Sequence, residues 1–409
     1  EDHRRVAVDL GEEVEKDSML PFGIGEKPPV PDAWGYVTVL RGANPKVVFV
    51  GDVSNGAKID ASGAKQGVEI ALKELGKIQE TTVELEVVED ACKADDAATK
   101  ARELADDPRV IGIVTQACGA SVESARAVYE DKKLPYLALA ETKPEITAQG
   151  TMATFRMRAN ERVQGRNAAL FMRQDVPTQR ALLLHDGAPS AQAIVEAFRT
   201  QYRGMRGEVR DLRQVSLTEN FDALYQDIKT LDPDLIYYMG GGRTGAETLK
   251  AMVERGYSGR FLVTDSAYAD ASYNTIGSVL EGTYATALQP ARGDRFTSWK
   301  EAYEKDNGPV GLLSPEGYDA AAILLQAAAR VAKVESDGTT KLGRQAMVGN
   351  IRSAPYTGIT GVMGFDGNGD RSALTATVMK FENGQFKQAA APAPTPVPAP
   401  AATPSTSTP

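Results

Sequence analysis

From Lys46 onward, short apolar runs alternate with longer segments in which apolar residues recur every three or four positions. "KVVFVGDV" (46–53) precedes "SGAKQGVEIALKELG" (62–76). "TVELEVVED" (82–90) precedes "ADDAATKARELADD" (94–107), "VIGIVTQ" (110–116) precedes "SVESARAVYEDKK" (121–133), and "LPYLALA" (134–140) closes the series. The runs have the length and near-continuous apolar character of strands buried on both faces, and the spaced segments have the period of amphipathic helices. The rhythm restarts at "RALLLHD" (180–186) and continues through "AQAIVEAFRTQYR", "EVRDLRQVS", "NFDALYQDIKTL", "DLIYYMG" and "GAETLKAMVERG" to "RFLVTDS" (260–266). Strand and helix in strict alternation predict a parallel sheet with helices on both faces. Two such series predict an α/β protein of two doubly wound lobes with a hinge and a central cleft. Ligands of open α/β sheets bind beyond the carboxyl ends of the strands, so the loops after Val50, Val114, Leu139, Leu184, Met239 and Val263 surround the expected site.

The ends depart from this pattern. Residues 1–45 read as an irregular amino-terminal extension, either a docking arm or a loose segment packed on its own domain. Residues 389–409 carry no charge and consist almost entirely of Ala, Pro, Thr and Ser. Such a tract buries too little apolar area to offset its ordering entropy and reads as a disordered tail. Between them, lobe one is expected from 46–160 plus 289–356, and lobe two from 161–288 plus 357–388.

Composition narrows the function. Apolar residues make up 42% of the 409 and charged residues 25%, the values of an ordinary globular chain. With 55 acidic against 46 basic residues and no long basic run, nothing here suits a polyphosphate backbone, so nucleic acid is not an expected partner. The longest apolar stretch (320–332) is broken by Gln326 and Arg330 and is too short to span a bilayer. Two histidines and two cysteines cannot assemble a metal cluster from the softer ligands, and no metal or cofactor is expected. The chain starts at Glu1 without Met or an apolar leader, which leaves a signal peptide either absent or already removed.

Three motifs invite specific chemistry. "GGGRTG" (240–245) fits the dinucleotide fingerprint, with Asp265 twenty residues beyond Gly245. It lies at the third strand of the second series, though, where a tight strand-to-helix turn explains it as well. "FDGNGDR" (365–371) resembles the start of a calcium loop, but Arg371 stands at the glycine position and Thr377 at the final ligand, so a hairpin between "GVMGF" and "ALTATVMKF" is the better reading. His185 and Asp186 are adjacent on a strand end and point to opposite faces, which argues against a catalytic pair. The cysteine in "VTQACGAS" (114–121) could be packing, a nucleophile, a metal ligand or half of a disulfide. No hydrolase or kinase motif is present, and no enzyme is expected.

The stretch "VVEDACKADDAATKARELADDPRVIGIVTQACGASVESARAVYEDKKLPYLALAETKPEIT" (87–147) resembles the periplasmic leucine/isoleucine/valine-type binding proteins, the substrate-binding components of ABC importers. The resemblance continues through "FRMRANERVQG", "NFDALYQDIKTLDPDLIYYMGG", "SPEGYDAAAILLQAAA" and "GVMGFDGNGD". It implies a type I periplasmic-binding fold, an amino-acid-like ligand between the lobes, an ABC transporter permease as partner, and a periplasmic or otherwise extracytoplasmic location. It also implies a disulfide between Cys92 and Cys118, which suits an oxidising compartment.

Carried over by position, Thr142 matches the hydroxyl that holds the ligand carboxylate. Ala140 matches the carbonyl that accepts from the ammonium, and Asp265 the acid that pairs with it. Gly119 stands where the family has a carboxylate-binding Ser, with Ser121 close enough to substitute. Asp60, Ser190 and Gly241 fall where aromatic residues wall the pocket, so much of the apolar burial that reads an aliphatic side chain is lost. Two alternatives follow. A member of this fold with a degenerate ligand site would serve as a structural or interaction subunit, attached through the 1–45 arm or the 389–409 tail; a dinucleotide-binding enzyme would use 240–245.

Overall fold

In a computed structural model, residues 31–53, 61–90, 93–116, 119–148, 150–265, 271–288, 294–311, 313–372 and 376–389 are described. The first part of the chain contains β1 (Tyr36–Val39), β2 (Lys46–Gly51), α1 (Ala61–Leu75), a small hairpin of β3 (Lys77–Ile78) and β4 (Thr81–Thr82), and β5 (Glu84–Glu89). It continues through α2 (Ala94–Asp106), β6 (Val110–Gln116), α3 (Gly119–Asp131), β7 (Tyr136–Ala138) and β8 (Thr154–Arg156). The second series is α4 (Glu161–Gln174), β9 (Arg180–His185), α5 (Pro189–Gly204), β10 (Glu208–Gln214), α6 (Phe221–Leu231), β11 (Leu235–Met239), α7 (Gly242–Glu254), β12 (Arg260–Val263), α8 (Ala271–Thr275) and β13 (Tyr284–Leu288). Then follow α9 (Asp294–Asn307), α10 (Ser314–Val331), β14 (Lys333–Val334), β15 (Thr340–Gly343), α11 (Arg344–Ser353), β16 (Tyr356–Gly358), β17 (Gly361–Met363), β18 (Ala376–Glu382) and β19 (Gln385–Gln388).

Both lobes repeat one topology. Lobe one has a parallel sheet in the order β5-β2-β6-β7-β8, and lobe two has β10-β9-β11-β12-β13, also parallel and extended by antiparallel β18 and β19. In each, the first strand of the series lies between the second and the third. That reversal opens a crevice at the carboxyl end of the sheet. The burial of the strands follows their sequence. β11, "LIYYM", is buried at all five positions, whereas the edge strand β10, "EVRDLRQ", alternates exposed and half-buried residues.

Glycine sets the closest helix contacts in both lobes. In lobe one α1 and α10 meet through Gly67 and Gly317: a methyl on Gly67 would overlap the Ser314 carbonyl, and one on Gly317 the Ala64 carbonyl. In lobe two α4 and α5 meet through Gly165, where a methyl would overlap the Ile194 carbonyl.

The boundaries differ from the sequence reading in three places. First, the extension expected over 1–45 ends earlier. Within it β1 pairs with β15, and Val37 and Val39 are buried in the lobe-one core. Residues 1–30 and 390–409 lie outside the described residues. Second, the return to lobe two begins later than 357. Ile359, Met363 and Phe365 all belong to the lobe-one core, because the carboxylate of Asp319 on α10 accepts from the Ile359 and Thr360 amides and holds the β16–β17 hairpin there. Only β18 and β19 join the lobe-two sheet. Third, the hairpin expected between "GVMGF" and "ALTATVMKF" is reduced to one bridge between Phe365 and Arg371, since β17 pairs with β16, and β18 with β13 and β19. Leu313, α10 and α11 contribute to the lobe-one core, and Phe296 and Trp299 of α9 pack against it.

Candidate functional site

The loops at the carboxyl ends of the two sheets carry the candidate residues. In lobe one, β7 runs out at Ala138 into a loop bearing Ala140 and Thr142, both half-buried. This loop is fixed from beneath by Arg156, the last residue of β8, whose side chain is 0% exposed. Its guanidinium donates to the carbonyls of Lys143 (2.6 Å) and Pro144 (3.3 Å) and to the Thr147 hydroxyl (2.6 Å), and its Nε donates to Asp370 (2.7 Å). Asp370 also accepts from Thr147 Oγ1 (2.8 Å) and from Nδ2 of Asn160 (2.9 Å), the residue that caps α4. A buried guanidinium needs such a set of partners, because an unpaired charge in this position would be costly. The segment that resembled a calcium loop therefore serves as a brace where the chain passes between lobes. Asp366 closes its turn by accepting from the Asn368 and Asp370 amides. Among the described residues, no three His, Cys, Asp or Glu side chains group to hold a metal ion.

Thr142 stands against the amino end of α4. Its hydroxyl donates to Glu161 Oε1 at 3.2 Å, and its carbonyl accepts from the Glu161 amide at 3.2 Å. Glu161 is only 5% exposed. Burial raises its carboxyl group to about 7, helped by the nearby carboxylates of Glu141 and Glu145 and opposed by the Thr142 hydrogen bond and by Arg156. One turn along, Gln164 donates to Asp265 Oδ1 (3.2 Å) and to Thr286 Oγ1 (2.7 Å). Thr142 and Asp265, taken from sequence as the two poles of the site, thus each hydrogen-bond a residue of the first turn of α4, Glu161 and Gln164 respectively. Sequence reading named neither of these two, although both lie in "FRMRANERVQG". Their signal was the i, i+3 spacing of two polar residues on a helix that begins at a strand end.

The other candidates are more scattered. Gly119 is the first residue of α3, and a Cβ there would lie 3.2 Å from Lys143 Nζ, so the place of the expected Ser is covered by an ammonium group. That ammonium also pairs with Glu123 at 3.3 Å. Ser121 is 1% exposed and lines a small cavity with Asp90, Thr115 and Tyr136 inside lobe one. Ser190 and Gly241 are exposed at the first turns of α5 and α7. Asp60, Cys92 and Cys118 lie outside the described residues. The strands before the two cysteines, β5 and β6, flank β2.

The glycine-rich turn at 240–245 is organised by an acid. Asp186 accepts from the Gly241 amide (2.7 Å) with one oxygen and from the Ala188 amide (2.9 Å) with the other. A pyrophosphate would need that same helix amino terminus, and the carboxylate already there would repel it. His185 does not pair with Asp186; its Nδ1 accepts from the Gly187 amide at 3.0 Å.

An amino acid binding protein of Pseudomonas aeruginosa is 25% identical over 261 residues, which cover 63% of this chain and 68% of that protein. The Leu/Ile/Val-binding protein of Escherichia coli K12 is 23% identical over 237 residues, 58% of this chain and 64% of that one. The chain thus spans about two thirds of the length of these relatives. Among solved structures, an ABC transporter substrate-binding protein of Desulfitobacterium hafniense in complex with Leu superimposes with a TM-score of 0.70 at 19% identity, covering 85% of this chain and 100% of the other. The family model described as "Periplasmic binding protein" matches residues 45–385. With two lobes of one strand order, and that match over most of its length, the chain belongs to the periplasmic binding protein family.

Proposed function

We propose that this protein is the extracytoplasmic solute-binding component of an ABC importer, and that it closes its lobes over an amino acid or a similar small polar ligand. The observation that carries this reading is the first turn of α4 at the crossing between lobes, where Glu161 accepts from the lobe-one hydroxyl of Thr142 and Gln164 donates to the lobe-two acid Asp265. In this reading the ligand carboxylate faces the amino end of α3 at Gly119 and the Lys143 ammonium, and its ammonium faces the Ala140 carbonyl and Asp265. A carboxylate opposite an ammonium in a closed cleft makes a charge-assisted bond much stronger than the same pair in water. Ser190 and Gly241 offer no ring to wall an aliphatic side chain, which favours a short or polar ligand over leucine.

A thermal-shift panel of the twenty amino acids, polyamines, urea and short amides tests this. A ligand at one hundred times its dissociation constant adds about 2.7 kcal/mol of stability. If no compound moves the melting point, the structural-subunit reading takes its place. Location is tested through the cysteines: in an oxidising compartment Cys92 and Cys118 pair, and the unreduced protein resists alkylation at both. Alkylation of both thiols without reduction would contradict the extracytoplasmic assignment.

A further inference from the structure

Glu161 and Gln164 are three residues apart on the first turn of α4, hence on one face, and they are 5% and 6% exposed. Gln164 has one arm on Asp265. Glu161 has one hydrogen-bond partner for its carboxylate among the described residues, the Thr142 hydroxyl, which leaves most of its acceptor capacity unused. That hydroxyl has a single proton, and here it points at a carboxylate. It therefore orients Glu161 rather than waiting for an anionic ligand group.

We propose that Glu161 is a second carboxylate for the ligand's cationic head, acting beside Asp265. This deepens the solute-binding reading and rests on it. The groups facing Glu161 are Glu141 and Glu145 from the loop after β7, which favour its protonated form, and Arg156 of β8, which opposes them. Arg156 is already committed to Asp370 and to the loop carbonyls, so the unmet positive charge must come from the ligand. An ammonium beside Glu161 lowers its affinity for a proton, and the proton leaves to solvent. Since Glu161 titrates near 7, a ligand that needs it ionised binds about tenfold more tightly at pH 8 than at pH 6, and about half a proton is released at pH 7.

A carboxylate at this position also stabilises the amino end of α4 through the helix dipole. Proton release distinguishes the two roles, since a purely structural carboxylate shows none on ligand binding. The test is calorimetric titration of the full chain at pH 6, 7 and 8, in two buffers of different ionisation enthalpy, with the amino acids and putrescine that raise the melting point. Wild type should show the tenfold pH dependence and buffer-dependent heats. Glu161→Gln should bind at least tenfold more weakly at pH 8 and lose both effects; the wild-type proton count decides alone should that variant fold poorly. A ligand bound with equal affinity by wild type and Glu161→Gln, without proton exchange, overturns the role of Glu161 and leaves the solute-binding function standing. A pH dependence that survives in Glu161→Gln assigns the effect to another group such as His185 and likewise contradicts the proposal. If nothing in the panel binds, both the function and this inference fall.

Discussion

The two lobes share strand order and glycine-mediated helix packing, yet they secure their site loops by different means. In lobe one the loop carrying Ala140 and Thr142 depends on Arg156, and Arg156 depends on Asp370, 214 residues further along the chain. In lobe two the turn at 240–241 depends on Asp186 at the end of the neighbouring strand β9. The first device ties the site to the crossing between lobes, because Asp370 also holds the α4 cap Asn160. The second is local to its sheet. The contrast teaches that the lobe-one loop is held by residues at the crossing between lobes, whereas the lobe-two turn is held within its own sheet.

The largest break in this comparison should come from Arg156→Met. It takes from Asp370 its cationic partner and from the Lys143 and Pro144 carbonyls and the Thr147 hydroxyl a shared donor, and loss of one partner of a buried pair costs about 4 kcal/mol. Urea unfolding measures it, and Arg156→Met combined with Asp370→Leu should recover part of the loss. A cost below 1 kcal/mol would show that the loop does not need this brace. The next effect tests the shared packing. Gly67→Ala and Gly165→Ala each force a methyl against a backbone carbonyl across a helix pair, and each should lower stability by about 2 kcal/mol. If Gly165→Ala is neutral, the α4–α5 contact is looser than its lobe-one counterpart.

The smallest effect sharpens the contrast. Asp186→Ala frees the Gly241 and Ala188 amides, both near solvent, and should cost about 1 kcal/mol. It should also leave the lobe-one loop unchanged, as seen by amide exchange at residues 141–147. Slower or faster exchange there would mean that the two loops are coupled through more than the hinge.

What could be read from sequence follows from range. The β/α alternation and the two lobes were legible because periodicity and burial are local signals. Asp265 and Thr142 came from a resemblance in residue order, and the fold sets each against the first turn of α4. Arg156 with Asp370, Asp319 with the β16–β17 hairpin, and β1 with β15 were not legible, since each is a pairing of distant residues that no local pattern encodes. "FDGNGDR" misled for the same reason: its acidic spacing fits a hairpin or a cation loop, and only the position of Arg156 shows that Asp370 is already neutralised. Glu161 looked like an ordinary first-turn carboxylate until the fold set Thr142 against it.

The most direct measurement of the central claim is calorimetric titration of wild type and Asp265→Ala with the amino acid that gives the largest thermal shift. The account predicts a single saturable site in wild type and no measurable heat in the variant, with both proteins melting alike in the absence of ligand. Undiminished binding by Asp265→Ala would contradict a cleft in which this carboxylate holds the ligand's cationic head.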